Sequence, residues 1–206
     1  VAKSLRQRLP KAIVGALGLA PLPWLAYGWT QGLLGANPIA EVLNELGLWT
    51  LIVLLASLAC TPIHIVTGWA YPLRLRKVLG LEAFFFACLH FSVYIGLDQG
   101  FDWAGIWQDI VKRRFMTVGF AALVLLAPLA VTSTKGMVRR LGFPRWKRLH
   151  RLVYLAAALG VVHFIWRVKS DLRVPLAYAF VFAVLMAIRL FDWTRRGADP
   201  ERHRAS

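Results

Sequence analysis

Cysteine is nearly absent. The chain of 206 residues holds two, Cys60 and Cys88, both inside apolar runs. They form neither a CxxC nor a CxxCH pattern, which argues against a covalently attached c-type haem and leaves both as small buried hydrophobes. Acidic residues are scarce as well: 10 Asp and Glu stand against 25 Lys and Arg, a formal charge of +15. That charge does not point to nucleic acid, because the basic residues lie between apolar runs rather than on one basic face interleaved with aromatics. No GxGxxG follows a strand pattern and no soluble dehydrogenase domain is evident, so the chain is not expected to bind NADPH by itself through such a domain. A signal peptide with a small-residue cleavage site is also missing, and the first apolar run is long enough to read as a retained span. Neither a soluble domain nor an internal repeat is evident.

What the chain has in quantity is uncharged apolar sequence. Hydrophobic residues make up 58% of it and the mean hydropathy is +0.57, more than a soluble domain of this size needs. The runs 12–33, 47–69 and 115–134 contain no Asp, Glu, Lys or Arg. With about 78–97, 146–166 and about 174–191 they give six candidate spans, each near the twenty residues that cross a bilayer. Pro21 and Pro23 place a kink in the first. Residues 35–46 read as a short connection with an interfacial turn after Asn37-Pro38. Residues 98–114 read as a Trp-rich interfacial loop. The fold class is therefore an all-α integral membrane protein, a six-helix bundle over 12–191, between an N-terminus of 1–11 and a charged, loose tail of 192–206.

Six spans put both termini on one side. The loops and ends on that side hold nineteen Lys and Arg, and those on the other side six. The positive-inside rule then places both termini in the cytoplasm. The expected location is the inner membrane of a bacterium, with lipid as the surrounding partner and no nucleic acid.

The segment WKRLHRLVYLAAALGVVHFIW, 146–166, organises the rest. His150 and His163 lie near its two ends, thirteen residues apart, which is about 20 Å of helical rise. His90 lies on the third span at a depth similar to His163, in the outer half of the membrane. Two imidazoles facing each other across a bundle can clamp a haem iron from both sides and leave a six-coordinate centre suited to electron transfer. His90 and His163 are thus the expected axial ligands, and ionisable residues at membrane depth are functional by default. His150 and His64 fall near the inner face and His203 in the tail. His150 is a candidate ligand or cofactor contact, whereas His64 and His203 read as bland. FFFACLHF, 84–91, fits either a porphyrin wall or bilayer filler. Trp103, Trp107, Trp166 and Trp193 read as interface anchors.

LHFSVYIGLDQGFDWAGIWQDIVKRRFMTVGF, LAVTSTKGMVRRLG and WKRLHRLVYLAAALGVVHFIWRVKSD resemble the MsrQ family, also called YedZ, over nearly the whole chain. This is a family of haem-containing membrane subunits of bacterial methionine sulfoxide reductase systems, within the ferric reductase-like and NADPH oxidase-like transmembrane superfamily. The resemblance implies b haem, one or two, and FMN at a site no residue here marks. It also implies a periplasmic molybdopterin reductase of the MsrP type as electron acceptor, and a quinol or a cytosolic flavin reductase as donor. On this reading the chain is the electron-transfer subunit rather than the one that handles the sulfoxide. Larger relatives carry two histidines on each of two helices and hold two stacked haems. Here Arg76, not His, stands fourteen residues before His90.

Arg76 is about 40° from the stripe of His90 on an ideal helix, near the inner boundary. Arginine is a poor iron ligand and a good partner for a propionate or a flavin phosphate. A second cofactor site with His150 and Arg76 is therefore expected, with His64 in reserve for an axial position. Against it, His150 falls about 140° around a straight helix from His163, so curvature or a wide turn near Gly160 is required. Two other functions remain open on the residues alone: a stand-alone ferric or cupric reductase of the same fold, and a proton-coupled transporter using the histidines as relays.

Overall fold

A computed structural model describes residues 11–198. Among these residues it has helices and no strands, with six helices long and apolar enough to cross a membrane. The first, α1 (Lys11–Thr30), is broken where the prolines stand. Ala20 N donates to Leu17 O and Leu22 N to Leu19 O, a tight turn that lets Pro21 open a new helical stretch without losing a bond.

The second, α2 (Pro38–Thr67), is 30 residues long, or about 45 Å. It begins earlier than the sequence suggested, because Asn37 caps it by accepting from Ala40 N at 3.0 Å and Pro38 takes the first helical position. Gly35 N in turn donates to Glu41 in the first turn. Residues 38–46 are therefore helix and not a connection. Gly68 ends α2 with φ +71°, the left-handed cap that glycine tolerates.

A 3₁₀ turn, Tyr71–Arg74, leads into α3 (Arg76–Val93). α3 widens into a π turn over Tyr94–Asp98, where Gln99 N reaches back to Tyr94 O. The expected loop at 98–114 contains a short helix, α4 (Trp103–Lys112), capped by Asp102. Trp103 and Trp107 are exposed on one face of it and Ile106 is buried on the other, the pattern of a helix lying at an interface. α5 (Arg114–Val131) is followed by two short basic helices, α6 (Lys135–Leu141) and α7 (Phe143–Leu149), then by α8 (Leu152–Arg167) and α9 (Arg173–Ala198). Helix α9 carries the chain seven residues past the expected end of the last span, so the first half of the tail is helical. His203 lies outside the described residues.

Helices α2 and α3 form one close pair and α5 and α8 another, with α9 against α2 and α8. Leu46, Leu51, Leu54 and Leu58 of α2 meet Phe86 of α3, Leu126 of α5 and Val161 of α8 in the core. Ala83, Ala156 and Ala157 are fully buried, and such small residues let membrane helices approach closely. Arg189 ties α9 in from within the span: it donates to Tyr154 Oη at 3.0 Å and to Leu58 O, and its guanidinium lies over the Tyr154 ring. These contacts engage both terminal nitrogens of the guanidinium, while Nε is buried without a hydrogen bond; partners of this kind lower the cost of an arginine at membrane depth.

Candidate functional site

Two cavities lie within the bundle, and Leu54 and Leu126 line both. The first, of about 310 Å³, sits between α2, α3, α5 and α8 toward the end that carries Asp98 and Lys169. His90 and His163 face into it from α3 and α8. Their ring centroids are 6.3 Å apart and their planes are nearly perpendicular, at 83°.

Each ring is held in the same way. His90 Nδ1 donates to Leu43 O of α2 at 2.9 Å, and His163 Nδ1 donates to Phe115 O of α5 at 2.7 Å. Each of these carbonyls also sits one helical turn before a glycine, Gly47 and Gly119 respectively. A Cβ on Gly47 would stand 3.2 Å from His90 Cε1, and one on Gly119 would stand 2.5 Å from His163 Nδ1. The glycines uncover the carbonyls and leave room for the rings. With Nδ1 committed as donor, the lone pair of each imidazole is on Nε2, and among the described residues neither Nε2 makes a hydrogen bond. This is how a metal-binding histidine is oriented by a partner on its other nitrogen.

The spacing has room for one metal between the rings. With a metal–nitrogen bond of about 2 Å and a ring centroid about 1.2 Å behind its nitrogen, two imidazoles on opposite sides of one metal would have centroids about 6.4 Å apart, close to the 6.3 Å here. A bare ion would need further protein ligands, commonly four in all. Among the described residues no group of three or more His, Cys, Asp or Glu gathers. An iron whose other four ligands come from a macrocycle suits the pair, and so does the apolar wall of Leu48, Leu51, Phe91, Phe120 and Phe164. Phe91, from the FFFACLHF stretch, lines the cavity, whereas Phe85 is exposed on the outside of the bundle.

The second cavity, of about 230 Å³, lies toward the basic end and brings together His150, Arg76 and Lys77 with Ser57, Ser133 and Trp146. Arg76 and His150 thus share one site, as the sequence suggested, but the route differs. Helix α8 runs unbroken through Gly160. The chain is instead overwound around His150: Arg151 N, Val153 N and Tyr154 N each bond a carbonyl three residues back. Steps of about 120° in place of 100° over this turn recover roughly 60–80° of the mismatch between His150 and His163. The expected single helix 146–166 is therefore two helices joined at His150.

His150 is held differently from the other pair. Thr132 Oγ1 donates to Pro128 O at 2.6 Å, so it accepts from His150 Nε2 at 3.1 Å. The lone pair of His150 is then on Nδ1, the opposite tautomer. Its ring lies against Trp146 at 4.1 Å, and Trp146 Nε1 donates to Thr132 O. His64 does not line this cavity, and its Nδ1 is buried without a hydrogen bond.

Sequence reasoning missed Leu43, Gly47, Phe115 and Gly119. The signal available was a glycine within each of two charge-free spans, which only the tertiary contact makes meaningful. It also missed Arg167, which lines the first cavity.

Comparison with known proteins gives the family. The family model described as ferric reductase like transmembrane component matches residues 45–161, a stretch that includes His90, His150 and Arg76. A protein of Rhodospirillum rubrum, named protein-methionine-sulfoxide reductase heme-binding subunit MsrQ, is 56% identical over 93% of this chain and 92% of its own length. Proteins of the same name from Deinococcus radiodurans and Caulobacter vibrioides are 50% and 46% identical, over 88% and 93% of this chain and 88% and 91% of their own lengths. The chain belongs to the MsrQ family of ferric reductase-like transmembrane proteins.

Proposed function

We propose that this chain is the haem-binding, electron-transferring membrane subunit of a methionine sulfoxide reductase system, with His90 and His163 as the axial ligands of one b haem. The observation that carries this reading is the pair of imidazoles 6.3 Å apart, each with Nδ1 tied to a carbonyl and Nε2 free. A haem bound there supplies one-electron chemistry, and it is held without covalent attachment because no CxxCH is present.

The rest of the work belongs to the protein. Leu43 and Phe115 fix the tautomer and aim of the two rings. The apolar helices hold the site at a set depth and exclude water from it. Both termini face the cytoplasm, in the inner membrane of a bacterium, by the distribution of Lys and Arg. The first cavity then lies toward the periplasm, where the acceptor is a molybdopterin reductase of the MsrP type. The second cavity lies toward the cytoplasm, where the donor is a quinol or a flavin reductase. Arg76, Lys77 and His150 make this second cavity the place for a further cofactor, a second b haem or FMN. The chain moves electrons and leaves reduction of the sulfoxide to its partner.

A proton relay through the histidines is disfavoured by the same hydrogen bonds. Nδ1 of each ring ends on a helix carbonyl, which passes no proton onward. The test is the reduced-minus-oxidised absorption spectrum of the purified protein, followed by mixing the reduced form with the periplasmic reductase. A b-haem spectrum and reoxidation only when that partner and methionine sulfoxide are present support the reading. A colourless protein, or direct reoxidation by ferric or cupric salts with no partner, contradicts it.

A further inference from the structure

The lining of the first cavity carries an unneutralised cation. Two guanidiniums stand among its residues, Arg113 and Arg167. Arg113 is paired: its Nε lies 2.9 Å from Asp109 Oδ1, and Asp109 Oδ2 also accepts from Tyr94 Oη. Arg167 is not. Its Nη1 donates to the side-chain carbonyl of Asn44, a neutral acceptor, and among the described residues it makes no ion pair. Asp98, the one carboxylate in the lining, accepts from Gln99 instead.

The placement is systematic. Arg167 ends α8 one turn after His163, and Asn44 follows Leu43, whose carbonyl holds His90. The Arg167–Asn44 hydrogen bond thus joins the α8 and α2 walls of the cavity at its polar mouth. A half-buried guanidinium with only an amide for a partner is costly beside apolar walls, and a carboxylate supplied by the occupant removes the cost. The planar fork of arginine suits that partner better than a lysine would.

We infer that Arg167, oriented by Asn44, anchors a propionate carboxylate of the bound haem at the mouth of the first cavity. This rests on the haem reading above and deepens it. It sets the cofactor in one of its possible rotations, with the propionate edge toward the end of the bundle that bears Asn44 and Arg167. Arg113, already paired to Asp109, has no such role.

The test is a cycle between protein and cofactor. The full chain, produced without haem in lipid nanodiscs, is titrated with ferric haem b and with its dimethyl ester, for wild type, Arg167→Gln and Arg113→Gln. Wild type and Arg113→Gln are expected to bind haem b about tenfold or more tighter than the diester. Arg167→Gln is expected to bind both with nearly equal affinity while keeping the two-imidazole spectrum. Equal discrimination in wild type and Arg167→Gln overturns the assignment and leaves the haem reading intact. Failure of wild type to take up any haem overturns both. If Arg167→Gln takes up no haem, Arg167→Lys carries the comparison. Discrimination reduced to about threefold is expected there, because the fork is lost, and wild-type discrimination overturns the assignment.

Discussion

A side chain on Gly119 and the imidazole of His163 would claim the same space: a Cβ there would stand 2.5 Å from His163 Nδ1, the atom that donates to Phe115 O. Gly47 and His90 repeat the relationship more loosely, with the Cβ 3.2 Å from Cε1. The two substitutions should therefore differ in severity. Gly119→Ala must push the ring off its carbonyl, and is expected to lose most bound haem. Gly47→Ala needs a shift of only a few tenths of an ångström and is expected to retain more than half. Haem per protein, measured on the purified variants, checks the order. Full haem content in Gly119→Ala would mean that His163 is not held as described.

The 83° between the two imidazole planes has a spectroscopic consequence. Perpendicular axial rings leave two iron orbitals nearly equal in energy, whereas parallel rings split them. The ferric protein is expected to show a strongly anisotropic low-spin electron paramagnetic resonance signal, with its largest g value well above that of a parallel pair. A signal of the parallel type would show that the rings rotate on taking up the cofactor.

The second cavity should be separable from the first. His150→Ala and Arg76→Ala are expected to leave the first haem's spectrum unchanged, because neither residue lines that cavity. Each is expected to lower the content of the further cofactor, read as haem per protein above one or as bound flavin. Because His150 Nε2 is committed to Thr132, Thr132→Val should free that nitrogen and alter the site without touching Arg76. A wild type that saturates at one haem and holds no flavin, with every variant alike, would leave these as ordinary polar groups at the basic end of the bundle.

How much of this could be read from the sequence depended on whether the signal was local. The six spans were legible because charge-free runs of bilayer length are a property of the chain itself. That His90 and His163 meet was legible from their matched depth on two spans of the same direction. The start of α2 was locally marked by Asn37, Pro38 and Glu41, but the polar residues Glu41, Asn44 and Glu45 masked it as a connection. The overwound turn at His150 had no such mark, since nothing in WKRLHRLV distinguishes three-residue from four-residue bonding. The histidine–carbonyl bonds join residues 47 and 48 positions apart. Only packing of α2 on α3 and of α5 on α8 creates them.

The source of electrons gives a further expected outcome. The chain carries no dinucleotide-binding pattern, so NADPH alone should leave the oxidised spectrum unchanged on the timescale of turnover. A quinol or a reduced flavoprotein should reduce it. Stopped-flow absorbance with each donor separately checks this, and fast reduction by NADPH with nothing else present would sink the proposed division of labour.

The central claim is that His90 and His163 clamp one haem. The most direct measurement is the reduced-minus-oxidised absorption spectrum, with haem content, of His90→Ala and His163→Ala beside wild type and His150→Ala. Each of the first two leaves the iron one axial ligand short. Each is expected to lose most of the low-spin b-haem absorbance, while His150→Ala retains that of the first site. Wild-type haem content and spectrum in both His90→Ala and His163→Ala would contradict the account.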